Sequence, residues 1–164
     1  MKYDLANWLN SPLLNAFSTI TLKQGILLKE PYQHWAHITP ELVVKTATHL
    51  RDRVTKALVG TSSFRKGYRP PFIVFHHYDD DVRHHLHIVH HKPEELFFGD
   101  FETLLSRQAH KLEWVHERLH SVPIDYSDGK TAFNCLTYGM KNTTDGFLPE
   151  ASFIDNGNVR REKH

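Results

Sequence analysis

Apolar and polar positions along the chain follow two periods, and the period changes where elements should begin and end. Residues 16–22 (AFSTITL) alternate, with Phe17, Thr19 and Thr21 on one face of a segment rich in β-branched side chains, which predicts a strand. Residues 24–37 read as a loop or a short hairpin. Thr39-Pro40-Glu41 then has the signature of a helix start: a capping hydroxyl, a proline at the first helical position and an early carboxylate. Val43, Ala47, Leu50, Val54 and Ala57 recur at helical spacing as far as Gly60.

A polar, basic loop is expected over 61–71, closed by Pro70-Pro71. Residues 72–78 and 84–91 read as two antiparallel strands around an acidic turn at 79–83. Phe101, Leu104, Leu105, Leu112, Val115 and Leu119 form one long apolar stripe and predict a second helix. A short strand over 122–126, a turn at Asp128-Gly129 and a last helix over 131–142 complete the pattern. Before residue 16, Leu5, Trp8 and Leu9 could share a face of a short helix ending at Pro12. The polar stretch 143–164 is expected to fray. The order β, α, ββ, α, β, α fits an α+β fold, an antiparallel sheet with packed helices of the ferredoxin-like kind.

Composition narrows this only a little. At 164 residues the chain fits one domain with a sizeable core, over residues 1–142. A formal charge of +1 permits a nucleic-acid partner without demanding one. The single cysteine, Cys135, excludes an intramolecular disulfide framework and a Cys-rich zinc site. The N-terminal residues lack a secretory signal pattern and no apolar run approaches membrane-spanning length, so an intracellular setting is the expectation.

The chemistry is concentrated in the hairpin. Residues 72–91 (FIVFHHYDDDVRHHLHIVHH) hold half of the fourteen histidines. Strand alternation puts His85 and His87 on one face, with Leu86 and Ile88 on the other. Two imidazoles can thereby meet one divalent metal while the apolar face enters a core. A third ligand must come from across the hairpin. His77 falls opposite His85 or His87 if odd positions pair with odd ones, and a neighbouring register offers Asp79. A bulge would instead bring His76 and Tyr78 to that face. His77 is the preferred choice. The acidic turn 79–81 could accept N–H bonds from bound imidazoles.

On the last helix (TAFNCLTYGMKN), Phe133, Leu136 and Met140 mark the expected buried stripe. Tyr138 lies off that stripe, with Lys141 nearly one turn further on. A phenol needs a neighbouring cation or base to act as a nucleophile, and Lys141 is placed to be one.

Together these residues resemble a known family. His85-Leu86-His87 is similar to the His-hydrophobe-His motif of the HUH endonucleases. Tyr138-Gly139-Met140-Lys141 is similar to the Tyr-x-x-Lys motif of their single-tyrosine replication-initiator (Rep) branch, and 17–22 (FSTITL) resembles the first-strand motif of that branch. All three stand in the family's order, and the resemblance spans about residues 16–142. The family's third ligand is commonly Glu, and this hairpin has no Glu before its histidines.

The resemblance implies a Rep-type nuclease fold that nicks and joins single-stranded or hairpin DNA at a replication origin and initiates rolling-circle replication. It implies a 5′-phosphotyrosine on Tyr138, with Lys141 steadying charge. His85, His87 and His77 (or Asp79) would bind Mg²⁺ or Mn²⁺, the nitrogen ligands favouring Mn²⁺ and admitting Zn²⁺. Lys23, Arg65, Lys66 and Arg69 are candidate phosphate contacts. A helicase, absent from this sequence, would be a separate partner. Two other readings compete. One is a histidine-triad nucleotide hydrolase, whose third histidine position is occupied here by Val89. The other is a non-catalytic module that binds single strands.

Overall fold

The computed structural model describes residues 9–29, 31–79, 83–129, 131–139 and 146–153. It is an α+β fold built on a four-stranded antiparallel sheet packed against helices. The sheet strands are β1 (Ala16–Leu22), β4 (Phe72–Asp79), β5 (Arg83–His90) and β6 (Val115–Pro123), in spatial order β4-β5-β1-β6. Strands β2 (Gly25–Leu28) and β3 (His34–His37) form a separate two-stranded ribbon after β1, which realises the hairpin option for 24–37. The helices are α1 (Pro40–Arg65), α2 (Phe98–Ala109) and α3 (Ala132–Gly139). Among the described residues, no helix is long and apolar enough to cross a membrane.

Strand alternation divides the core in two. Even-numbered positions Ile20, Val74, Leu86 and Ile88 pack against Val43, Ala47, Leu50 and Val54 of α1 and Leu105 and Ala109 of α2. Odd-numbered positions Ile73, Phe75 and Val89 pack against Ala132 and Leu136 of α3, with Leu9, Leu14 and Ile124. The sheet is therefore covered on both faces, by α1 and α2 on one and by α3 on the other. Among the described side chains of α3, Ala132 and Leu136 are buried as a pair four apart; Leu136 follows the expected stripe, Phe133 is exposed, and Met140 lies outside the described residues.

Three boundaries differ from the sequence reading. Helix α1 begins as expected, with the Thr39 hydroxyl accepting from the Leu42 N–H and proline at the start. It does not end at Gly60. That glycine takes φ 80°, which it tolerates for want of a Cβ, and the chain resumes helical geometry to Arg65. Residues 61–65 are thus helical, and the basic loop is shorter than expected.

Helix α2 ends at Ala109, and Val115 and Leu119 belong to β6, paired with Leu22 and Ile20 of β1. A spacing of four satisfies a helix face and a strand face equally, so the apolar stripe alone could not separate the two. Of the strand expected over 122–126, only Val122 and Pro123 belong to β6, and Tyr126 begins a 3₁₀ turn.

The stretch expected to fray contains 146–153, which lies along the outer edge of β4. Phe72 and Phe153 exchange backbone hydrogen bonds of 2.7 and 2.6 Å, Gly146 O accepts from His76 N at 2.7 Å, and Leu148 N donates to Val74 O at 3.0 Å. This segment covers an edge that would otherwise expose unpaired backbone groups. The approach at Gly146 is close: a Cβ there would overlap the His76 carbonyl oxygen and lie 2.9 Å from its carbon. Gly146→Ala is expected to lower stability by about 3 kcal/mol. Gly99→Ala, whose Cβ would meet open space, should change it by no more than about 1 kcal/mol. Urea midpoints of the two variants check the contrast, and equal midpoints would refute it.

Candidate metal centre on the sheet face

The register of the hairpin resolves the choice left open by the sequence. His77 lies directly opposite His85, Phe75 opposite His87, and Asp79 opposite Arg83. His77, His85 and His87 therefore share the odd-numbered face, at the end of the sheet beyond the residues that α3 buries. The His77 and His87 ring centres are 5.6 Å apart and those of His85 and His87 are 6.4 Å apart. Phe17 of β1 stacks on His87 with its ring plane 11° away and its centre at 5.7 Å.

Strand β1 also orients the two imidazoles of the motif. Thr19 pairs with His87 and Thr21 with His85 across β1 and β5. Thr19 Oγ1 is 3.1 Å from His87 Nδ1, and Thr21 Oγ1 is 3.3 Å from His85 Nδ1. With Nδ1 occupied, His87 Nε2 is the atom left for a further partner. It is buried and has no hydrogen-bond partner. Burial, reinforced by the neighbouring His77 and His85, lowers the His87 pKa to about 4. The ring is neutral at pH 7, the form that ligates metals.

An orphaned, neutral imidazole nitrogen on a threonine anchor fits a divalent ion. Two imidazoles on one ion place their ring centres roughly 4.5–5.5 Å apart, given a metal–nitrogen bond of about 2.1 Å. The observed separations are somewhat longer. Accordingly, among the described residues no three His, Cys, Asp or Glu side chains converge closely enough to hold an ion as they stand. The donor set suits a metal, and rotation of His77 and His85 would be needed to close it.

Of the remaining hairpin histidines, His76, His84 and His90 lie on the other face. His90 is fully buried beneath α2 against Phe101 and Phe72, with Nε2 2.8 Å from Ser18 Oγ, which in turn contacts Ser121 Oγ at 2.8 Å. It cannot join His85 and His87 in a histidine triad. His76 and His84 lie edge to edge, with Nε2 of one 2.8 Å from Nδ1 of the other and ring planes 1° apart. This imidazole pair shares one N–H···N bond, and burial, then His84, His77 and His85, lowers the His76 pKa to about 4.

Helix α3 lies on the histidine face. It follows Ile124, whose N–H bonds to Asn15 O at the Ala16 end of β1, and the chain returns to the sheet at Gly146 beside His76. Tyr138 is in the final turn of α3. The side chains of Tyr138 and Asp79, and all of Lys141, lie outside the described residues.

The candidate phosphate contacts are not gathered together. Lys23 follows β1 two residues after Thr21, near the histidines, and its Nζ donates to Glu113 O at 2.8 Å. Arg65, Lys66 and Arg69 precede Phe72, at the opposite end of β4 from His77. Arg69 is engaged locally: its Nη1 donates to Phe64 O at 2.6 Å and its guanidinium lies 3.5 Å from the Phe64 ring centre. Sequence reasoning missed Thr19 and Thr21 as imidazole partners, although their parity matched that of His85 and His87. Comparison of the chain with protein-family models, with curated proteins and with solved structures gave no match.

Proposed function

We propose that this protein is a metal-dependent endonuclease and strand transferase of the HUH type, acting on single-stranded or hairpin DNA at a replication origin. The observation that carries this reading is the buried, unpartnered Nε2 of His87, anchored by Thr19 on the sheet face that α3 covers. His85 and His77 complete the nitrogen set. The resemblance adds the nucleophile, since its Tyr-x-x-Lys motif falls on that helix and the residues after it.

In this mechanism the chain positions and the phenol reacts. Thr19 and Thr21 hold Nδ1 of His87 and His85, which leaves the buried Nε2 of His87 for a ligand. His77, His85 and His87 would hold a divalent ion, Mn²⁺ in preference to Mg²⁺ with Zn²⁺ also accepted, and that ion would supply positive charge to the scissile phosphate. The Tyr138 oxygen attacks phosphorus, the bond to the 3′-oxygen breaks, and the released 3′-oxygen takes up a proton equivalent to the one the phenol loses. Lys141 stabilises the phenolate. The free 3′-hydroxyl can prime synthesis, and reversal rejoins the ends.

Incubating the protein with Mn²⁺ and a panel of labelled hairpin and single-stranded oligonucleotides tests the reading. A covalent adduct to the fragment bearing the new 5′ end is expected on a denaturing gel. Absence of adduct and of cleavage across the panel would overturn it. The anchoring role of Thr19 makes a separate prediction. Thr19→Val keeps the shape and removes the hydroxyl, and should weaken Mn²⁺ binding about tenfold, as loss of a supporting hydrogen bond to a ligand does. Titration followed by electron paramagnetic resonance measures this, and unchanged affinity would rule the role out.

A further inference from the structure

The β2–β3 ribbon carries large apolar side chains that the fold leaves uncovered. Leu27 is 47% exposed, Trp35 57% and Tyr32 80%. Leu27 and Trp35 are direct cross-strand partners, so they share one face of the ribbon. Gly25, paired with His37, sits on that face as well. A Cβ on Gly25 would collide with the Trp35 indole nitrogen and come within 2.6 Å of its Cε2. The indole thus lies across the glycine, the arrangement by which an aromatic ring covers a strand glycine. It is held in place while much of its surface stays open.

The ribbon is fixed at both ends. Ile38 N donates to Gln24 O at 2.8 Å at its base, and His34 Nδ1 donates to Tyr32 O at 2.8 Å in the turn that presents the Tyr32 ring. The stretch 23–37 contains two lysines, Lys23 and Lys29, against one carboxylate, Glu30. Exposed aromatic faces with surrounding cations suit a polyanion whose units have π faces. The ribbon also continues the histidine site. Thr21, opposite His85, precedes Gly25 by four residues, a reach of at most about 14 Å.

We infer that this ribbon is a stacking platform for single-stranded nucleic acid, with bases on Trp35 and Tyr32 and backbone phosphate near Lys29. It takes the strand leaving the histidine face, and so rests on the endonuclease reading for its place in a reaction, though not for the binding itself.

The test uses the full chain without metal, so that binding is measured apart from cleavage. The probe is labelled oligothymidylate of about 15 nucleotides, long enough for one such site, with fluorescence anisotropy as the readout. Trp35→Ala should weaken binding about tenfold, the loss typical of one stacked base. Trp35→Phe should recover most of it, and Tyr32→Ala should fall between. In a Trp8→Phe/Trp114→Phe chain, where Trp35 is the only indole, oligothymidylate should quench emission to saturation.

Equal affinity of wild type and Trp35→Ala overturns the platform, as does a wild type that binds no oligothymidylate. Quenching that instead follows protein concentration without DNA assigns the ribbon to a second copy of the chain and also overturns it. The two readings fail separately. Adduct formation with unchanged Trp35→Ala binding removes only the platform. Trp35-dependent binding with no adduct removes only the endonuclease.

Discussion

Replacing Tyr138 by Phe is expected to abolish the covalent adduct and lower the cleavage rate by roughly 10³ or more, the scale on which loss of a nucleophile acts. Binding of the same oligonucleotide should stay within about twofold, because the substitution keeps the ring and removes one oxygen. The phenol is the only protein group in the proposed mechanism that becomes bonded to the DNA, so its loss removes the adduct. Histidine variants should behave differently. His87→Ala should also lose cleavage, but it removes the anchored Nε2 and with it the response to Mn²⁺.

The pair of variants therefore separates the candidate activities. A histidine-triad hydrolase would retain activity in Tyr138→Phe and lose it in His87→Ala. A binding module would show neither cleavage nor adduct in any form. Undiminished cleavage by Tyr138→Phe would sink the tyrosine mechanism outright. Adduct mass and the identity of the labelled fragment decide the polarity of the link. If the label stays on protein only when placed downstream of the cut, the link is to the 5′ phosphate.

The sequence disclosed the parity of the site more readily than its assembly. His85 and His87 had to share a face, because alternation along a strand is a local property. Whether His77 joined them depended on the register across the turn, and a shift of one residue would have offered His76 instead. The register pairs 77 with 85, with residues 80–82 between the strand ends. Thr19 and Thr21 were visible as one face of β1, but the pairing of β1 with β5 joins residues more than sixty apart. No local pattern encodes that. The edge strap at 146–153 was missed for a related reason: it follows a polar stretch, is short, and gains its order from the backbone of β4. Arg69 was assigned to DNA by its charge alone, and no local pattern showed that the fold uses its Nη1 on Phe64 O and Tyr68 O.

Acid should unfold this protein early. Histidine outside a fold titrates near 6.5, whereas burial lowers His90 to about 3 and His87 to about 4. Between these values the unfolded chain binds more protons than the folded one. The stability associated with the neutral rings is therefore fully present above pH 6.5, and it declines as pH falls until the folded values are passed. Each ring contributes a loss of about 1.4 kcal/mol per pH unit in that window. By pH 5.5 the two together remove roughly 3 kcal/mol, a large share of the usual 5–15 kcal/mol. His76, also lowered to about 4, acts in the same direction. Urea midpoints followed by circular dichroism from pH 7.5 to 4.5 measure the slope, and a flat profile down to pH 5 would contradict it.

His90→Gln isolates the core term. It keeps a polar group near Ser18 but cannot charge, so the fall below pH 6.5 should be shallower even if the variant starts less stable. Mn²⁺ supplies the complementary arm, because a metal held through neutral His87 competes with its protonation. Added Mn²⁺ should raise the midpoint at pH 7 and lose that effect towards pH 5 in the wild type, but give no increment at either pH in His87→Ala. An increment preserved in His87→Ala would place the ion elsewhere, while a proton-linked slope preserved in His90→Gln would assign acid sensitivity to other groups.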